Sequence, residues 1–223
     1  MSTYNYAVHS PRGLIDRLAL KKRLEMLQIF FNEFPEYIFN QVLDVGVTQE
    51  RNSISANFFE QYYPYKDNII ALSMQDASFL EKMYVGLKFK LGDVKKLPFH
   101  NEEIDIVFSS AVIEHVGSLN NQKQMLAECY RVAKKGIFIT TPNRWYPIDL
   151  HTSLPLIHWL PKKIHRAILK ILRFAFYSTE ENLNLLDKRT LCHLCKKLNI
   201  QNFTVKQITT LYFVSNLMLI IKK

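Results

Sequence analysis

Five short apolar runs, each followed by a helical stretch or a turn, set the most restrictive condition on this chain. They are Gln41–Val45, Asn68–Leu72, Lys88–Leu91, Glu103–Ser109 and Ile137–Thr141. Strands alternating with helices make a parallel sheet wound on both faces. The rhythm then breaks. Phe203–Ile208 and Tyr212–Ile221 are two β runs with a gap too short for a crossover helix, so they pair antiparallel. The expected fold is α/β and Rossmann-like: a mostly parallel seven-stranded sheet ending in an antiparallel hairpin.

In such sheets ligands bind beyond the carboxyl ends of the strands. The first run ends in Asp44-Val45-Gly46-Val47-Thr48. Gly46 lets backbone come close to a ligand. A helix over about Ser53–Tyr63 would aim its free N–H groups at the same place.

The helices are expected as follows. Leu20, Leu24, Leu27 and Phe31 share one face of a helix over Leu14–Phe34, which Pro35 ends. A third helix spans about Asp76–Tyr84. A fourth spans Asn121–Ala133, and Lys134-Lys135-Gly136 reads as its basic last turn and capping glycine. The whole of 1–223 reads as one domain. Residues 1–37 are a helical cap that begins with a loose arm, 1–11. Residues 143–199, too long for a plain crossover, are a helical insertion expected to shape a substrate pocket.

Composition narrows the partners. The chain is 48% hydrophobic with a net charge of +9. A packed core is expected, and anionic partners are favoured. No arginine-rich run marks a nucleic-acid arm. No signal-like or membrane-spanning run is present, and three cysteines argue against a disulfide framework. A cytoplasmic setting is expected. Lys162–Phe176 is amphipathic, with Ile164, Ile168, Ile171, Leu172 and Ala175 opposite Arg166, Lys170 and Arg173. Such a helix either packs on its own domain or lies on the inner face of a membrane.

Four motifs, in order, resemble class I S-adenosylmethionine-dependent methyltransferases: Val42-Leu43-Asp44-Val45-Gly46; Ile70-Ala71-Leu72-Ser73; Gly92-Asp93-Val94 before Leu97-Pro98-Phe99; and Ile104-Asp105-Ile106-Val107-Phe108-Ser109-Ser110 before Val112-Ile113-Glu114-His115-Val116. The last two are the most specific. Two departures stand out. Val47 and Thr48 occupy positions where the family has glycines, and Ser73 stands where it has a ribose-binding acid.

The resemblance implies the cofactor S-adenosyl-L-methionine. Asp44, Val45, Gly46, Val47 and Thr48 would lie at its methionine end, and Ser73, Met74 and Asp76 near the ribose. Asp93 and Val94 would meet the adenine, and Ser109 and Ser110 the sulfonium. His115 reads equally as a catalytic base and as a structural residue, with His151 a second base candidate and Asp149 a weaker one. Arg144 and Tyr146 are expected to contact substrate. Their segment, Thr141–Pro147, is similar to a bacterial subgroup associated with cell-surface polysaccharide assembly. The acceptor is therefore expected to be a small-molecule or glycan hydroxyl.

Two other readings remain. A nicotinamide-dependent oxidoreductase would need a glycine-rich turn and an acid ending the second strand. A non-catalytic, membrane-apposed binding module needs neither. No metal site is expected. Cys192-His193-Leu194-Cys195 lacks a second ligand pair and reads as buried thiols.

Overall fold

The computed structural model describes residues 13–51 and 53–223. The expected N-terminal arm, 1–11, lies outside the described residues. Seven strands form one sheet: β1 (Val42–Val45), β2 (Ile69–Ser73), β3 (Lys88–Leu91), β4 (Ile104–Ser110), β5 (Ala133–Pro142), β6 (Phe203–Thr210) and β7 (Phe213–Lys222). Their order is β3-β2-β1-β4-β5-β7-β6. β1 to β5 run parallel, and β7 is antiparallel to both β5 and β6. The expected fold class is the observed one.

Side-chain alternation along the strands feeds two cores. On one face, Leu43, Val45, Val107, Ile137 and Ile139 pack with α4 (Leu119–Val132) and α6 (Lys188–Lys197). On the other, Val42, Ile106, Phe108 and Phe138 meet α1 (Leu14–Glu33), α2 (Phe58–Tyr62) and α3 (Phe79–Met83). Phe30 of α1 sits edge-on to Phe59, Phe108 and Phe138, with ring centroids 5.5–5.6 Å apart. This is the favoured aromatic geometry.

Four expectations need correction. The buried stripe of α1 is Met26, Leu27, Phe30 and Phe34, while Leu20, Leu24 and Phe31 are only partly buried beside it. The second helix starts at Phe58, not Ser53. Asp16 of α1 accepts hydrogen bonds from the Ser53 and Ser55 hydroxyls and the Ile54 N–H, and these hold the segment before Phe58 as turns. The third helix is likewise short, Phe79–Met83. Finally, α4 ends at Val132, and Ala133 is already extended as the first residue of β5. Gly136 therefore lies inside a strand rather than capping a helix. A Cβ there would come within 2.5 Å of the Ile221 carbonyl and 2.7 Å of the Phe34 ring.

The insertion holds α5 (Lys162–Ile171) and α6 among turns. His165 and Leu169 face inward on α5, whereas Ile164, Ile171 and Leu172 are exposed. The apolar side named from sequence thus does not pack on the domain. No helix among the described residues is long and apolar enough to cross a membrane.

Candidate active site

β1, β4 and β5 all end at one edge of the sheet, and a cavity of about 430 Å³ opens there. α1 closes one side with Asp16, Arg23 and Met26, and the insertion closes another with Tyr146, Leu150 and His151. Of the residues expected in the site, Asp44, Gly46, Val47, Thr48, Ser110, His115, Tyr146 and His151 line this cavity.

The floor is acidic. Asp44 and Glu60 are both buried, and neither Glu60 oxygen has a hydrogen-bond partner among the described residues. Burial, then the neighbouring Glu60 carboxyl, pushes Asp44 well above the ordinary carboxylate range. Burial raises Glu60 as well. Two carboxyls this close and this dry resist ionising together. Sequence reasoning missed Glu60, which looked like one more polar residue in an amphipathic helix.

The loop after β1 differs from the expected cradle. The Gly46 and Val47 N–H groups both donate to the Leu72 carbonyl, at 2.7 and 3.3 Å, and the Thr48 N–H donates to Asn57 Oδ1 at 2.9 Å. These donors are spent within the protein. α2 begins at Phe58 rather than Ser53, and its first residues, Phe58, Phe59 and Glu60, line the same cavity as Gly46. A Cβ on Gly46 would come within 2.2 Å of the Val112 side chain, so the glycine lets that side chain pack over the loop.

Several expected residues stay outside the cavity. Val45 and Val94 are buried in the core, so Val94 offers its side chain to packing rather than to a ring. Ser109 is fully buried and donates its hydroxyl to the Val45 carbonyl, tying β4 to β1. Ser73 accepts from the Gln75 N–H, and its carbonyl accepts from the Gly92 N–H, which brings the ends of β2 and β3 together. Met74 and Asp76 are exposed, and Asp76 accepts from the Ser78 N–H. Asp93 accepts from the Lys95 N–H and pairs with the Lys95 amine at 3.1 Å. Arg144 donates to the Leu160 carbonyl and lies over Trp145. Cys129 and Cys195 are free and buried, and burial pushes both thiols up to about 12.

The most organised chemistry in the cavity is a histidine pair. His115 closes a 3-10 turn, Ile113–His115, just past β4. His151 comes from the insertion. Their Nε2 atoms are 3.2 Å apart. His115 Nδ1 lies 2.7 Å from the Asn182 carbonyl and His151 Nδ1 3.1 Å from Asp149 Oδ1. Both partners only accept, so both Nδ1 atoms carry hydrogen. Asp149 is itself fixed by the Thr152 hydroxyl at 2.7 Å and the His151 N–H at 3.1 Å.

The charges follow from this wiring. Burial opposes charge on His151, but the Asp149 carboxylate, helped by Glu114, lifts its pKa above the usual value. Burial and the charge on His151 drive His115 down to about 3. The pair thus shares one proton, carried on His151. Asp149 keeps its negative charge despite burial, through its bonds to His151 and Thr152. Sequence reasoning ranked Asp149 as the weakest base. The structure instead gives it the job of orienting His151.

Comparison with known proteins agrees with this architecture. Residues 43–140, from β1 through most of β5, match the model of the methyltransferase domain family. The fold is that of a class I S-adenosylmethionine-dependent methyltransferase. A probable S-adenosylmethionine-dependent methyltransferase of Mycolicibacterium smegmatis is 27% identical over 122 residues, 52% of this chain and 46% of that protein. The match thus spans about half the length of that relative. A solved SAM-dependent methyltransferase of Methanosarcina mazei superposes with a TM-score of 0.54 at 15% identity, over 82% of this chain and 92% of its own. Magnesium protoporphyrin IX methyltransferase of Synechocystis, solved with bound SAH, gives 0.54 at 9% identity over 93% and 85%. These matches show a shared fold and a methyltransferase-domain likeness over residues 43–140. α1 and the insertion lie outside the matched range 43–140.

Proposed function

We propose that this chain moves a methyl group from S-adenosylmethionine to a hydroxyl of a small molecule or glycan. One observation carries the reading: a single cavity at the strand ends is lined both by the buried carboxyls of Asp44 and Glu60 and by an oriented histidine pair. Burial holds the Asp44 and Glu60 carboxyls above their ordinary range, and a positive charge at the methionine end of the cofactor would favour ionising them. The ribose end fits less well, because β2 ends in Ser73 and Asp76 already serves the turn before α3. When bound, the cofactor supplies a methyl group on a positively charged sulfur. The protein's share is alignment and removal of the acceptor's proton. In its proton-free state the His115–His151 pair offers an Nε2 lone pair to that hydroxyl. Asp149 and the Asn182 carbonyl hold the rings in the tautomer that makes this so. Arg144 and Tyr146 belong to the segment that would receive the acceptor.

We infer that the acceptor is presented at a membrane surface. Ile164, Ile171 and Leu172 are exposed on α5, Leu156 and Leu160 are exposed just before it, and Lys162, Lys163, Lys170 and Arg173 sit among them. That arrangement fits an anionic lipid face and a lipid-linked glycan.

Calorimetry with S-adenosylhomocysteine, alongside flotation on anionic vesicles, tests both points. Micromolar binding of the nucleoside, weakened about tenfold or more in Asp44→Asn, is expected, since hydrogen bonds to charged groups are worth about 1.5–3 kcal/mol. Vesicle binding without nucleoside binding would leave a non-catalytic module instead.

A further inference from the structure

We propose that Glu114, His115 and His151 form a binding site for a divalent cation such as zinc. Each of the three residues offers one donor atom, and these atoms all lie within 4.8 Å of one another. The two Nε2 nitrogens are 3.2 Å apart, and Glu114 Oε1 is 3.8 Å from His151 Nε2. Zinc holds nitrogen and oxygen at roughly 2.0–2.2 Å, so neighbouring ligands on a tetrahedral ion stand about 3.4 Å apart. The observed separations bracket that spacing.

A second, independent feature points to a ligand. Glu114 is wholly buried, and its Oε1 has no hydrogen-bond partner among the described residues. Its other oxygen accepts from the Thr141 hydroxyl at 2.9 Å, which fixes the carboxylate plane. Arg23 lies near enough to feel the charge, but its guanidinium donates to the Ser55 carbonyl. A single proton between the two rings satisfies the nitrogens and leaves Glu114 Oε1 unmet. A cation satisfies all three atoms.

The surroundings are those of a metal site. A ligating histidine usually donates its other N–H to a carboxylate or a carbonyl, which aims the ring and raises its basicity. Asp149 does this for His151 and the Asn182 carbonyl does it for His115. The imidazole-carboxylate set suits zinc or another late first-row ion rather than calcium or magnesium. Both rings line the cavity, so the open positions of the ion face it. Its use there rests on the methyl-transfer reading: an acceptor hydroxyl on the ion loses its proton to water, and the oxygen then attacks the methyl carbon as the carbon–sulfur bond breaks toward sulfur. The ion replaces the shared proton of the histidine pair and takes over its part in ionising the acceptor. Glu114 and His115 are neighbours in sequence, but His151 lies 36 residues beyond His115 in the insertion, so spacing alone does not suggest the site.

Cobalt(II) titration of the full chain, stripped with chelator and free of cofactor, tests the proposal. One ion per chain is expected, with visible ligand-field bands and no thiolate charge-transfer band from the cysteines, and zinc should displace it. His151→Ala should weaken binding by about 100-fold, and the milder Asp149→Asn by about tenfold. S-adenosylhomocysteine binding, measured on the same variants, reports whether each is folded and tests the methyl-transfer reading separately. Nucleoside binding with no cobalt uptake, or cobalt uptake unchanged in both variants, would overturn the site and leave that reading standing.

Discussion

Replacing His151 by Ala should lower turnover by about two orders of magnitude or more, while S-adenosylhomocysteine still binds. The ring touches the cavity through Nε2 and is held from behind by Asp149, which is 2% exposed and keeps its charge. Removing the ring takes away the Nε2 partner of His115 and leaves Asp149 a buried carboxylate held only by the Thr152 hydroxyl and the backbone N–H of residue 151. Asp44 and Glu60 belong to β1 and α2 rather than to the insertion that carries His151, so nucleoside affinity should stay within a few-fold of wild type. Asp149→Asn separates orientation from chemistry. An amide can present its NH2 to His151 Nδ1 and favour the wrong tautomer, so turnover should drop although both rings remain. Initial rates set against calorimetry on the same preparations decide the matter. Wild-type turnover in His151→Ala would leave His151 a structural residue of the insertion.

The second large effect concerns folding. Gly136→Val should destabilise the chain by about 3 kcal/mol or more. At roughly 2–4 °C per kcal/mol for a domain of this size, the melting temperature should fall by about 6–12 °C. The nearest atom to a new Cβ is a backbone oxygen, that of Ile221 at 2.5 Å, and backbone cannot rotate away as a side-chain tip can. The Phe34 ring at 2.7 Å is pinned on the other side by the aromatic cluster around Phe30. β5 would have to move away from β7 or from α1. Chemical denaturation monitored by far-UV circular dichroism measures this. An unchanged midpoint would show that the strand yields more easily than its packing indicates.

Gly136 also shows why part of the chain was hard to read. Lys134-Lys135-Gly136 has the composition of a helix end, and local propensity favours that reading. Pairing with β4 extends β5 back to Ala133 and pairing with β7 takes in Gly136, and no local window holds that information. The segment before Phe58 was misread for a similar reason. Ser53 and Ser55 look like a helix start, but Asp16, 37 and 39 residues earlier, draws their hydroxyls into turns. The mostly parallel sheet and the terminal hairpin were legible because alternation and gap length constrain topology directly. In the site, His115 stood out through its motif and His151 through its place in the insertion. Their contact did not, because it depends on how the insertion folds back over β4. Glu60 and the orienting role of Asp149 were invisible for the same reason: burial and partners define them, not spacing.

The account stands on where the cofactor lies. A crystal structure with S-adenosylhomocysteine should show its amino acid end against Asp44 and Glu60, and its sulfur on the side of the cavity facing His115 and His151. Density elsewhere on the chain, or a cavity left empty at saturating nucleoside, would contradict it.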